Sequence, residues 1–390
     1  MQTFDYVIVG GGMAADAAVA GIRRRDRKGS ILVISEELFP PYQRPPLSKK
    51  LWMDMRLEDT FLRGFERHSA TLALASRVVR INREARQIEV ADGRAFQYGK
   101  LLLALGAAPR TVSSSSKEVY YVGSVAEHIR LWKALGETRS VLVVGGGFIG
   151  AEMTAALSAR GHHVTWLVLE AYPFANFFPK SLAQHVLEEY TKQGVTVLAG
   201  EEVTAIEDGS GGVSAKTVSG RIITADLAVL GIGVAPNDQL AKDAGLATGH
   251  GVPVDQFLRT SDPYIWAAGD VAVMAPDGRP MMHEDHAVTQ GRAAGENMAG
   301  AEKPYTHVPF YYSDLYHFGY EAVGDCNAKY EMVEDWVVPG DEGVIYYLSE
   351  GQVVGVLNWN VWDKVDAATE LLSSGQRYNP DQLVGRIRNS

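Results

Sequence analysis

The chain has one cysteine, Cys326, among 390 residues. No disulfide can close within it, and no internal dithiol relay can carry electrons. Many flavin and nicotinamide enzymes place a CxxC pair beside the flavin, and that chemistry is excluded here. No apolar run reaches the roughly 18–20 residues of a membrane span. The chain enters a strand-like run almost at once, so no signal or transit peptide is expected, and a cytoplasmic location is the default. Excess positive charge is also missing. There are 37 Lys and Arg against 47 Asp and Glu, a formal net charge of −10, which removes bulk electrostatic attraction to nucleic acid. The one dense basic stretch, Arg23-Arg24-Arg25-Asp26-Arg27-Lys28, falls at a predicted helix end, where cations suit the helix dipole. A docking patch for an acidic partner is its second reading. The string His283-Glu284-Asp285-His286 lacks thiolate or HExxH spacing, so it reads as a polar helix start and no metal is expected.

What is present is glycine in two patterned turns. Gly10-Gly11-Gly12-Met13-Ala14-Ala15 follows the apolar run Tyr6–Val9, and Gly145-Gly146-Gly147-Phe148-Ile149-Gly150 follows Val141–Val144, 135 positions later. Each lies between a buried-strand pattern and an Ala-rich helical pattern, the context a dinucleotide fingerprint requires. Such glycines permit a tight turn and let the backbone approach a pyrophosphate at a helix N-terminus. Two turns imply two dinucleotides, the arrangement needed to pass electrons from a nicotinamide to a flavin. The expected fold is α/β, with two Rossmann-like dinucleotide-binding domains and a C-terminal α+β domain. The expected boundaries are 1–113 and 230–302 for the two parts of the first domain, 114–229 for the second, and 303–390 for the third. The Pro40–Pro46 stretch predicts a stiff, non-helical loop up to Ser48, a candidate N-cap. The four serines 113–116 predict a junction.

An acid follows each glycine turn at the end of the second predicted strand: Glu36, 26 residues after Gly10, and Glu170, 25 after Gly145. Such an acid accepts hydrogen bonds from ribose hydroxyls. Glu170 would repel a 2′-phosphate, and no Arg or Lys lies in 171–179, so NADH is expected over NADPH. Asp270, after Gly269 at the end of an apolar strand, is a candidate for a ribitol hydroxyl or a plain N-cap. Lys49 and Glu152, the latter in the first turn of the second nucleotide helix, form a candidate charged pair. A lysine near a flavin would stabilise negative charge as hydride arrives, and a carboxylate would keep it ionised.

These segments resemble a known family. The first glycine turn with Glu36, Arg44-Pro45-Pro46-Leu47-Ser48-Lys49, Gly145 to Glu152 and Ala268-Gly269-Asp270 are similar to FAD-dependent ferredoxin reductases of the glutathione-reductase-like two-dinucleotide superfamily. His283 to Val288, Gly295-Glu296-Asn297-Met298, Ser313-Asp314-Leu315, Gly319 to Gly324 and Trp359-Asn360 resemble its apoptosis-inducing-factor-like branch. The resemblance implies FAD contacts from Gly10, Gly12, Ala14, Ala15, Glu36, Arg44, Lys49, Val78, Arg110, Asp270, His283, Glu284 and Tyr312. It implies NAD contacts from Gly145, Gly147, Phe148, Ile149, Gly150, Glu152, Glu170, Gly233, His283, Tyr312, Glu321 and Asn360. Lys49, Glu152 and His283 would serve the reaction.

The implied activity is NADH oxidation through FAD to a ferredoxin, a rubredoxin, a quinone or oxygen, without a catalytic cysteine. The alternative it implies is an NADH-sensing protein whose long-lived charge-transfer complex and oligomeric state, a homodimer for example, are the output. Tyr312 stands where the branch has tryptophan, Glu284 where it has histidine, and Leu105 where the usual strand has threonine. The long C-terminal insertion of that branch is absent, which weakens the expectation of NADH-driven loop release.

Overall fold

The structure is a computed structural model that describes residues 1–136, 139–274, 278 and 281–389. By packing, the chain forms two compact units, each assembled from three segments: 1–45, 56–108 and 234–307 in the first, 46–55, 109–233 and 308–390 in the second.

The first unit is built on a sheet ordered Thr71–Ala73, Ile31–Ile34, Gln2–Val9, Ala95–Leu103, Gln87–Val90, Val78–Asn82, with Ile265–Ala267 also paired to Ala95–Leu103. Gln2–Val9 runs parallel to both neighbours, with Val7 opposite Leu32 and Leu101. Its carboxyl half and all of Ile31–Ile34 are buried, as continuous Val/Ile/Leu runs require when both faces of a parallel strand are covered. The Met13–Arg25 helix buries Ala14, Ala15, Ala18 and Ile22 and packs against the Glu284–Met298 helix. Small residues let the two backbones touch: a Cβ on Gly291 would sit 2.2 Å from the Ala14 carbonyl oxygen, and one on Gly295 2.2 Å from that of Ala18.

The second unit contains a parallel sheet ordered Thr196–Ala199, His163–Val168, Ser140–Val144, Leu227–Leu230, Val119–Tyr121. The Phe148–Ala159 helix follows its central strand. A separate antiparallel sheet runs Phe310–Leu315, Phe318–Gly324, Gln352–Trp359, Glu342–Ser349, Glu331–Val338, and the Val365–Ser373 helix packs on it. Val323, Tyr346, Val356, Ala368 and Leu371 form the core beneath that helix.

Four local expectations are corrected. Pro45–Ser48 is a 3₁₀ turn rather than a helix-free loop, because proline tolerates the first turn of a helix, where its missing N–H costs nothing. Ser48 caps no helix; its hydroxyl is donated elsewhere, as described below. The serine run is no bare junction: Ser113–Ser114 is a short strand paired in parallel to Ala205 and Ile206. Residues 46–55, expected within the first domain, pack with the second unit. The ring contact of Trp52 with His128 and the hydrogen bond from Arg160 to the Trp52 carbonyl hold them there.

Candidate functional site

In the first unit the turn after Gln2–Val9 is held open by glycine. Gly10 adopts φ +120°, and a Cβ there would lie 2.0 Å from the Ala104 carbonyl oxygen. Gly12 is the N-cap of the Met13–Arg25 helix and has no side chain to satisfy the first N–H groups, so a ligand anion can take that place. At Gly12 a Cβ would meet only the Arg44 guanidinium, 3.9 Å away. Ala14 and Ala15 follow in the buried first turn. Arg44 donates to Glu37 Oε1 at 2.6 Å and to the Tyr42 hydroxyl at 3.2 Å, and Tyr42 donates to Glu37 Oε2 at 2.6 Å. Glu36, at the strand end, is exposed and 3.8 Å from Arg77.

Val78 is buried in its strand. Asp270 caps no helix. It lies in a turn between Ile265–Ala267 and Ala272–Met274, so the N-cap reading is corrected. Burial pushes its carboxyl up to about 6 against the opposing pull of the Arg44 guanidinium. The preceding Gly269 N–H donates to the buried Gln290 side chain at 2.7 Å. His283 is the N-cap residue of the Glu284–Met298 helix without a side-chain capping bond, and Glu284 opens that helix.

The second unit repeats the turn. Gly145 also has φ +120°, and a Cβ there would lie 2.3 Å from the Gly231 carbonyl oxygen. Nothing lies within 4 Å of a Cβ on Gly147, the N-cap of the Phe148–Ala159 helix. Gly150 lets that helix approach the turn, since its Cβ would sit 2.0 Å from the Gly145 carbonyl oxygen; Ile149 separates it from Phe148. The Phe148 ring lies 4.8 Å from Phe177 and 5.6 Å from Tyr311, centroid to centroid. Glu170 accepts from Asn176 Nδ2 at 2.8 Å. Arg110 donates its backbone N–H to the Gly233 carbonyl at 2.9 Å.

Glu152 is in the second helical turn rather than the first, because the helix starts at Phe148. Its buried carboxylate is surrounded by donors. Lys49 Nζ is 3.2 Å from Oε1, the Ser313 hydroxyl donates to Oε1 at 2.6 Å, and the Ser48 hydroxyl donates to Oε2 at 2.5 Å. Lys49 also donates to the Tyr312 carbonyl at 3.2 Å, and its ammonium lies 4.4 Å from the Tyr312 ring centroid. Such a cluster answers the cost of burying a charge with a partner and hydrogen bonds. Glu321 faces Lys364 N–H at 3.5 Å, and burial raises its carboxyl above the usual range. The Asn360 side chain is used locally, accepting from Gly319 N–H at 2.8 Å and donating to the Asp341 carbonyl at 2.7 Å.

The residues expected to contact FAD therefore divide: Lys49, Arg110 and Tyr312 belong to the second unit and the others to the first. Sequence reasoning missed Glu37, Ser48 as a donor, and Ser313. A second acid beside Glu36 was the only local signal for the first of these.

Two glycine cradles, each fitted to a pyrophosphate at a helix N-terminus, define an enzyme of the two-dinucleotide flavoprotein class. Comparison with known proteins agrees. Residues 4–291 match the pyridine nucleotide-disulphide oxidoreductase family, and residues 294–342 match the C-terminal family of mitochondrion-associated apoptosis-inducing factor. Rhodocoxin reductase of Rhodococcus erythropolis is 32% identical over 391 residues, covering 97% of this chain and 91% of that protein. Mitochondrial apoptosis-inducing factor 1 of Dictyostelium discoideum is 30% identical over 421 residues, covering 95% and 79%. A chain in the covalent putidaredoxin reductase–putidaredoxin complex superposes with a TM-score of 0.90 at 25% identity, over 98% of this chain and 96% of that one. The chain belongs to the pyridine nucleotide-disulphide oxidoreductase family and is an FAD-dependent NAD(P)H oxidoreductase.

Its single cysteine sets it apart from the disulphide chemistry in the family's name. Cys326 is buried, bonded to the Val323 and Val356 carbonyls, and burial pushes its thiol up to about 12.

Proposed function

We propose that this enzyme takes electrons from NADH and delivers them to a small ferredoxin-type protein, working in the cytoplasm. The observation that carries the reading is the buried Lys49–Glu152 pair, closed by the Ser48 and Ser313 hydroxyls. Bound FAD supplies the redox chemistry, accepting hydride equivalents from a nicotinamide and releasing electrons to an acceptor. Lys49 provides a fixed positive charge to balance the electrons that arrive. Glu152, held by two hydroxyls, pairs with that ammonium at 3.2 Å and fixes its position. The Gly12 and Gly147 helix ends hold the two pyrophosphates, with Arg44 beside the first. Glu36 and Glu170 bind ribose hydroxyls, and Glu170 disfavours a 2′-phosphate. Asp270, His283 and Glu284 serve the flavin side; Phe148, Gly233, Tyr312, Glu321 and Asn360 serve the nicotinamide nucleotide. We keep 114–229 and 303–390 as separate domains in this reading, because each carries its own sheet. The ferredoxin-type acceptor is supported by likeness to rhodocoxin reductase and to the putidaredoxin reductase complex.

A second reading is NADH sensing with dimerisation as the output, favoured by the match of residues 294–342 to the apoptosis-inducing-factor C-terminal family. Anaerobic stopped-flow separates the two. The reductase reading expects NADH to act at least ~10-fold faster than NADPH, or ~1.4 kcal/mol, and the reduced protein to pass electrons to a ferredoxin faster than to oxygen. Equal rates with both nucleotides overturn the Glu170 assignment. Slow turnover with every acceptor and a stable NADH-induced dimer favour sensing.

A further inference from the structure

At the amino ends of three parallel strands in the first unit lies a cleft of about 780 Å³ that the redox reaction does not use. Its floor includes Phe4, Ile31 and Thr71, from the opening turns of the strands Gln2–Val9, Ile31–Ile34 and Thr71–Ala73. Its walls carry six permanent cations: Arg23, Arg24, Arg27, Lys28, Arg67 and Arg292. They come from three stretches far apart in sequence and converge only in the fold. Among the described residues no carboxylate lines the cleft, although the chain has a formal net charge of −10.

The nearby acids are already engaged. Asp26 accepts from the Lys28 and Gly29 N–H groups and the Tyr6 hydroxyl, Asp5 accepts from Ser30, and Glu296 pairs with Arg24 at 2.8 Å.

Helix-dipole compensation accounts for part of this charge, since the Met13–Arg25 helix ends here. Arg23 is also spent on the fold: its guanidinium donates to carbonyls beyond the helix, those of His68, Asp26 and Gly29, at 2.9, 3.1 and 2.7 Å. Those bonds also fix the two loops that shape the cleft. Arg27, Lys28, Arg67 and Arg292 form no ion pair among the described residues. Arg67 acts at a distance on the half-buried Asp16 carboxylate; no such partner is seen for Arg27, Lys28 or Arg292 among the described residues. Dinucleotides bind at the carboxyl ends of parallel strands. This cleft is at the opposite edge, separated from the Gly10–Gly12 turn by a 13-residue helix, about 20 Å.

We infer that this cleft is a second anion site, for a small ligand carrying two or more adjacent phosphate groups. Converging guanidinium groups match phosphate geometry in bidentate fashion. The cleft is more open than enclosed, and its volume lies within the roughly 300–1,000 Å³ range of small-molecule sites. A flat basic stripe would suit an extended polymer instead.

The test is calorimetric titration of the FAD-loaded protein, in excess NAD⁺, with inorganic tripolyphosphate, repeated with ATP and with vesicles containing phosphatidylinositol bisphosphate. Saturable one-to-one binding that weakens with salt is expected. The double variant Arg27→Glu, Arg67→Glu should lose at least ~30-fold in affinity, with its flavin spectrum and NADH reduction rate unchanged. ATP binding without vesicle binding identifies a soluble ligand; the reverse identifies a lipid headgroup. Absence of saturable binding to all three probes, or unchanged affinity in the double variant, overturns the inference.

Discussion

The two glycine turns of this chain have nearly the same backbone and different surroundings. Gly10 and Gly145 share φ +120°, and the N-caps Gly12 and Gly147 differ by only a few degrees in φ and ψ. Behind the first turn, helix packs on helix through Gly291 and Gly295, and Arg44 reaches the cradle. Beside the second stand the Phe148 ring cluster and the Glu152 carboxylate, with open space in front of Gly147. In the proposed reading each turn takes a dinucleotide, and its neighbours decide whether that ligand stays. A cation and a closely packed floor suit a resident cofactor. An open cradle with an aromatic ring suits a substrate that must leave.

Exchanging single atoms at the two turns tests that contrast most severely. Gly10→Ala puts a Cβ 2.0 Å from a backbone oxygen at a positive φ, so flavin-loaded protein should not be recovered at all. Gly12→Ala and Gly147→Ala meet no such clash and should both fold. The first should lose at least ~10-fold in FAD affinity, about 1.4 kcal/mol, and the second should keep its flavin and raise KM for NADH by a similar factor. Flavin absorbance and steady-state kinetics report the two losses; loss of flavin from Gly147→Ala would break the comparison.

Lys49→Ala leaves Glu152 buried with two hydroxyls and no cation. It should cost about 3 kcal/mol of stability, lower the midpoint potential of the bound flavin and slow reduction by NADH. With Glu152→Ala the double variant should be less than additive, since either change already breaks the unit. Denaturant unfolding and potentiometry on the four proteins measure this, and simple additivity would show the two residues act independently.

Acid should reveal a different weakness, in the first unit. Burial pushes His286 down to about 4, helped by His307 and opposed by Asp285. The unfolded chain therefore binds a proton the folded one refuses between about pH 6.5 and 4. Stability from this group is complete above pH 6.5 and falls as pH drops, by about 3 kcal/mol. Replacing it, His286→Gln, should flatten that stretch of the unfolding profile. The smallest effect belongs to Cys326→Ser, expected to leave NADH reduction unchanged and stability within about 1–2 kcal/mol, because the thiol lies in the core and takes no part in electron transfer.

Much of this fold was legible in the sequence because its signals are local. A four-residue apolar run, a glycine turn and an Ala-rich helix fall within about 20 residues, and both nucleotide units were readable from that spacing. The environment of Glu152 was not. Its donors Ser48 and Ser313 are 104 and 161 positions away, and no periodicity links them. The same limit explains residues 46–55: the prolines leading into them announced rigidity but not which unit the segment would pack with. The basic run at 23–28 was visible as charge; Arg67 and Arg292, which turn it into a cleft, became visible only once the chain had folded.

The interleaving of the two units sets the order in which this protein can be made. The strand Ile265–Ala267 pairs with Leu101–Leu103 and belongs to the first sheet, so that sheet cannot close until residue 267 has been synthesised. Phe148 likewise waits for Tyr311 and Tyr320. During translation both half-built sheets expose apolar surface while more than a hundred residues are added, seconds at ordinary synthesis rates. Neither unit can be expressed as one continuous fragment. A chain that stops before residue 265 leaves the first sheet without its Ile265–Ala267 strand.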